Sequence, residues 1–191
     1  MIDIHYVREN FGSLVEIEAY WHPLGHVECQ IFKNSESEVR LHFWPKFERR
    51  PKMPSWPIHR HRFELESEIL EGELFNILYS ESIGLRYRKF QVNPISESMV
   101  SSLEAEEESC NLTISDIRSF TKGEKYRVIG SEIHQAYVNL DIETITLVNT
   151  FEYRSDKSVV FGSDCEKSTP YIREAFDRGR FWNAIGAAIA F

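Results

Sequence analysis

Short runs in which polar and apolar residues alternate with a period of two constrain this chain more than any other feature. Ser13-Leu14-Val15-Glu16-Ile17-Glu18-Ala19-Tyr20 is one such run. Successive side chains of a strand point to opposite faces, so a run of this kind buries one row and leaves the other polar. The same texture predicts strands over 27–32, 39–44, 65–70, 74–79, 85–92, 111–117, 126–129, 134–140 and 144–150. Many short strands punctuated by Gly, Pro and Ser predict a sandwich or barrel rather than alternating βα units. The fold class is therefore all-β.

Two stretches break the pattern. Residues 96–110, with Glu104, Glu106, Glu107 and Glu108, show little hydrophobic periodicity and read as an acidic loop between two halves of a barrel. Near the end, Thr169-Pro170 places a capping residue before a proline suited to a first helical turn, and an apolar face from Tyr171 to Ile185 follows. One helix over about 170–190 is expected there. A length of 191 residues suits a single domain, since one core keeps growing to roughly 250 residues. N-terminal strands over 13–44 would lead into the barrel proper at 57–150.

Charge and cysteine content remove several function classes. The formal net charge of −8 disfavours nucleic acid, whose phosphates are bound by clustered Lys and Arg. No segment reaches the about 20 apolar residues that span a bilayer, and the start lacks a secretory pattern. A cytoplasmic protein without a membrane partner is the expectation. Cys29, Cys110 and Cys165 are widely spaced and odd in number, which argues for reduced thiols rather than a disulfide framework. No GxSxG elbow, HExxH helix or GxxxxGK loop is present.

The chemistry concentrates in Pro57-Ile58-His59-Arg60-His61-Arg62-Phe63-Glu64-Leu65-Glu66, followed by Leu70-Glu71-Gly72. Residues two apart in a strand share a side, so His59 and His61 direct two imidazoles into one cavity. Two neutral nitrogen ligands suit a single divalent metal. A third must come from elsewhere, and Gly130-Ser131-Glu132-Ile133-His134 offers it at the start of a predicted strand.

These residues resemble the cupin family, whose first motif is an HxH pair with a downstream acid and a closing glycine and whose second carries another histidine. His59 and His61 match the pair, Gly72 the glycine and His134 the second motif. The resemblance covers roughly 57–150 and implies a double-stranded β-helix, or jelly-roll barrel, with metal ligands His59, His61 and His134. The family's acid position falls on Leu65, with Glu64 and Glu66 on either side. Either a small bulge turns one glutamate inward as a fourth ligand, or the site is three-histidine, as in the thiol dioxygenases. The alternation Leu65, Ser67, Ile69 favours an inward Leu65 and three histidines.

With Fe(II), such a site binds a small organic substrate and O₂ together; Zn, Ni, Mn and Cu also suit imidazole. The leading expectation is a non-haem iron dioxygenase-like enzyme, with Glu64 and Tyr137 as candidate catalytic residues. The alternatives are a non-catalytic cupin that binds a small molecule or metal, and a metal-dependent isomerase or lyase. Paired barrels are common among cupins, so a homodimer is expected. Arg60, between the two histidines, should face away from them, and Arg62 could reach the rim. Tyr79, Tyr87 and Tyr126 read as core more readily than as pocket lining. His5, His22, His26 and His42 lie outside both motifs and receive no chemical role.

Overall fold

The computed structural model describes residues 2–53, 55–94, 100–163 and 170–190. The chain opens with two short helices, α1 (Ile4–Glu9) and α2 (Phe11–Leu14). Strands β1 (Tyr20–Trp21), β2 (Leu24–Gly25), β3 (Val27–Lys33), β4 (Glu38–Trp44), β5 (Arg50–Pro51), β6 (His59–Arg60) and β7 (Glu64–Glu71) come next. Two long strands follow, β8 (Glu73–Pro94) and β9 (Val100–Thr121). The remainder comprises β10 (Lys125–Val128), β11 (Ile133–Tyr137), β12 (Thr144–Phe151), β13 (Val159–Ser163), β14 (Tyr171–Ile172) and helix α3 (Arg178–Ile189).

The strands form two antiparallel six-stranded sheets, ordered β1-β3-β4-β12-β7-β10 and β11-β6-β13-β8-β9-β14, with β11 also paired to β8. This is the expected all-β, jelly-roll-like architecture with a C-terminal helix. Eight-residue β7 turns into β8 at Gly72, whose φ of +78° is open to glycine without strain.

The first sheet has two unlike faces. On one, Val27 and Cys29 of β3, Leu41 and Phe43 of β4, and Ile145 and Leu147 of β12 pack against Phe181 and Ile185 of α3. This is the main core, and α1 and α2 close it with Val7 and Leu14. Cys29 sits here, its thiol pushed up to about 12 by burial, with Glu28 and Glu18 adding to the effect. The opposite face carries Glu28, Arg40, His42, Trp44, Val148 and Leu65, and it lines a cavity instead. The Glu28↔His42 and Cys29↔Leu41 registers of β3 and β4 set this division.

Three expectations need correction. Residues 13–20 are not a strand: Phe11–Leu14 is helical, and only Tyr20 at the far end of the run enters β1. Val7, Phe11 and Leu14 recur at helical spacing and pack into the core, which outweighs a short alternation. The acidic stretch is also no loop from residue 100 onward, because Val100–Thr121 pairs along β8. Its glutamates are mostly exposed, while burial there falls on the partner strand, as at Phe90 opposite Ala105, so no apolar alternation is imposed on the acidic residues. Lys89 Nζ bonds Glu108 at 3.0 Å and Asn93 Nδ2 bonds Glu104 at 3.1 Å, holding the ribbon through polar contacts.

The third correction shortens the terminal helix. Thr169 lies outside the described residues, and Pro170 precedes strand β14 rather than a helical turn. Asp177 is the cap, accepting from Arg180 N at 2.7 Å, and α3 starts at Arg178.

Candidate metal centre

Strand pairing brings the three motif histidines together. His59 in β6 lies directly opposite His134 in β11, and on its other side opposite Val160 in β13. His61 follows β6 and folds back over the same point, so that the Nε2 atoms of His59 and His61 are 3.1 Å apart. Ring centroids are separated by 4.6 Å for His59–His61, 4.5 Å for His59–His134 and 5.1 Å for His61–His134.

Hydrogen bonds fix which nitrogen faces the cluster. A carbonyl only accepts, so His59 Nδ1 must carry the proton that reaches Pro57 O at 2.8 Å. His134 Nδ1 likewise donates to Asn76 Oδ1 at 2.9 Å. Both rings therefore turn an unprotonated Nε2 inward, and His134 Nε2 is buried with no hydrogen-bond partner among the described residues. Burial pushes all three imidazoles below their ordinary range, and for His61 and His134 neighbouring histidines push further. They are held neutral, the form that ligates metal.

The residues fit a divalent ion. Metal–imidazole bonds are about 2.1 Å, so two ligands at right angles have nitrogens about 3 Å apart, close to the 3.1 Å found for His59 and His61. Two aromatic nitrogens at that distance share either a proton or a cation. The ligand atoms of all three histidines lie within 4.8 Å of one another.

The two candidate catalytic residues are placed elsewhere. Glu64 accepts two bonds from Arg127, through Nε at 3.0 Å and Nη2 at 2.5 Å, and does not line the cavity. Leu65 does line it, and Glu66 lies 3.8 Å from Lys125. Tyr137 ends β11 with 45% of its surface exposed, its hydroxyl donating to Asn139 Oδ1 at 3.0 Å.

The cavity, of about 850 Å³, is walled by Trp44, Trp56, Phe63, Leu65 and Val148 beside the histidines. Of the tyrosines considered from sequence, Tyr126 lines it while Tyr79 and Tyr87 do not; Tyr153 and Tyr171 also contribute. Arg60 lines it too, together with Arg62. Arg60 is half-buried where β6 pairs with Val159 of β13, not on the outer surface expected of it.

His22, His26 and His42 share this cavity with Glu28, a grouping that sequence reasoning did not assemble. Burial alone would raise the Glu28 carboxyl, but Arg40, the His42 ring and Arg173 hold it well below its ordinary range. The His22 and His26 rings are kept neutral, chiefly by burial. The available signal was parity: His26, just ahead of β3, alternates with Glu28 and Gln30 on it, the latter two opposite His42 and Arg40 on β4. No family model and no curated protein matches the chain.

Proposed function

We propose that this chain is a cytoplasmic cupin that holds one divalent metal, Fe(II) in the leading reading, with His59, His61 and His134. In this reading it is a dioxygenase-like enzyme acting on a small organic molecule. The observation that carries the proposal is the convergence of three neutral imidazoles, two with their inward nitrogen fixed by hydrogen bonds, inside a largely apolar cavity. Its 850 Å³ falls within the roughly 300–1,000 Å³ of small-molecule sites.

Three histidine ligands would leave open positions for substrate and O₂ on a bound iron. The chain's own residues do the rest. Asn76 and the Pro57 carbonyl orient two ligands, and Trp44, Trp56, Phe63 and Leu65 exclude water around them. Arg60, Arg62 and Tyr153 supply polar groups that position a substrate. Glu64 is engaged with Arg127, which favours the three-histidine set over one with a fourth, carboxylate ligand.

The test is metal analysis of untagged protein purified without added metal, beside His59→Ala and His134→Ala. Loss of one equivalent of iron in both variants, with metal-dependent O₂ uptake in a substrate screen, is the expected result. Zinc or nickel lost in both would move the reading to Lewis-acid chemistry, as in an isomerase or lyase. A wild type that takes up no metal overturns the three-histidine centre and leaves a binding barrel.

A further inference from the structure

We infer that the same cavity holds a second metal site, formed by His22, His26 and Glu28 with His42 beside them, that takes a first-row divalent cation. The ligand atoms of His22, His26 and Glu28 lie within 4.8 Å of one another, the same closeness as in the three-histidine cluster. The His22 and His26 rings stack at 4.5 Å with their planes 19° apart, and His26 and His42 lie 4.6 Å apart with planes at 38°.

An independent observation points to a ligand. His26 is 5% exposed, and its Nε2 is buried with no hydrogen-bond partner among the described residues. A buried polar nitrogen left unpaired is costly, and a cation removes that cost. His42 Nε2 is also buried and reaches no nearer than 3.4 Å to Glu28 Oε2, too far for a good bond. Two imidazoles and a carboxylate are the donor set of sites that hold Fe(II) and its neighbours while leaving positions open.

Two features bear against the cation and are met by the geometry. Arg173 donates to Glu28 Oε1 at 2.5 Å and Arg40 to Oε2 at 3.1 Å. An ionised carboxylate has about four lone-pair sites, so both arginines can remain while Oε1 keeps a free lone pair. They serve to keep the ligand charged and aimed. Leu24 N–H donates to His22 Nδ1 at 3.2 Å, so an ion at His22 Nε2 moves the ring proton to Nδ1 and gives up that one long bond.

Equilibrium dialysis against Co(II), with cobalt measured per chain, tests the site. Wild type is expected to bind two equivalents, His26→Ala one, the His59→Ala/His134→Ala double variant one, and the combination none. Glu28→Gln should behave as His26→Ala does, which guards against misfolding of either variant. Retention of two equivalents by both His26→Ala and Glu28→Gln overturns the second site. So does a wild type that binds one equivalent, all of it lost in the double variant, although the three-histidine centre then stands. One equivalent lost in His26→Ala and kept in the double variant leaves the second site standing and removes the first.

Discussion

Asn76 Oδ1 lies 2.9 Å from His134 Nδ1, and both residues are almost wholly buried. The two sit on neighbouring strands: Asn76 pairs with Ala136, two residues past His134, so both side chains leave the same face. A carbonyl oxygen there selects one tautomer of His134 and orients its ring. Partners of this kind typically contribute about 10–100-fold to metal affinity. Asn76→Ala should therefore weaken metal binding by about that factor, measured by competition with a chelator on folded protein. Asn76→Asp, which still accepts the Nδ1 proton, should retain binding; equal loss in both variants would mean that Asn76 acts only through packing.

Glu64 gives the opposite expectation. Its carboxylate is engaged by Arg127, on a side of β7 away from the histidines, while Leu65 reaches the cavity. Glu64→Gln should leave the metal content of the purified protein unchanged and reduce stability only slightly, because Arg127 is half exposed. A loss of metal in Glu64→Gln would show that the fourth ligand is a carboxylate after all.

The histidine triad was legible because its signal is local and periodic. His59 and His61 are two apart, and His134 follows a glycine turn. The second cluster was hidden by the same alternation that revealed the strands. Alternation separates the two faces of a strand but does not say what the polar face meets. His26, Glu28, Arg40 and His42 belong to no motif in the sequence, yet they border a cavity. The acidic first part of β9 was missed for a related reason: its glutamates are mostly exposed and the side chain buried there, Phe90, sits on β8, so nothing selects for alternation over the acidic residues. At the N-terminus two periods competed, and the helical spacing of Val7, Phe11 and Leu14 prevailed because those residues reach the core.

Gly72 links the family-like motif to the backbone that carries Asn76. It turns β7 into β8 at φ +78°, and an added Cβ would collide with Glu143 O and lie 2.5 Å from Thr144 Oγ1. Thr144 is committed at this turn, since its hydroxyl accepts from Glu73 N and donates to Glu73 O. Gly72→Ala combines a left-handed backbone with a clash, so a loss of about 2–4 kcal/mol is expected. Urea unfolding should show a lower midpoint with an unchanged slope. A midpoint within error of wild type would mean that the turn relaxes freely, contrary to the packing described.

Phe43 and His42 are adjacent on β4 and serve different halves of the molecule. Phe43 faces α3, where its ring lies 6.1 Å from that of Phe181, and His42 faces the cavity. Phe181 is fully buried, so Phe181→Ala should cost about 3–5 kcal/mol. For a chain of this size that lowers the melting temperature by about 6–20 °C. Below the transition, metal content should stay at the wild-type level, because the deleted ring packs in the helix-side core and does not line the cavity. His42→Ala should do the reverse, changing cation binding in the cavity while leaving the helix-side core intact. If Phe181→Ala instead released metal from protein that is still folded, the two faces of the sheet would be mechanically coupled, and the histidine geometry would depend on α3 as well as on strand register.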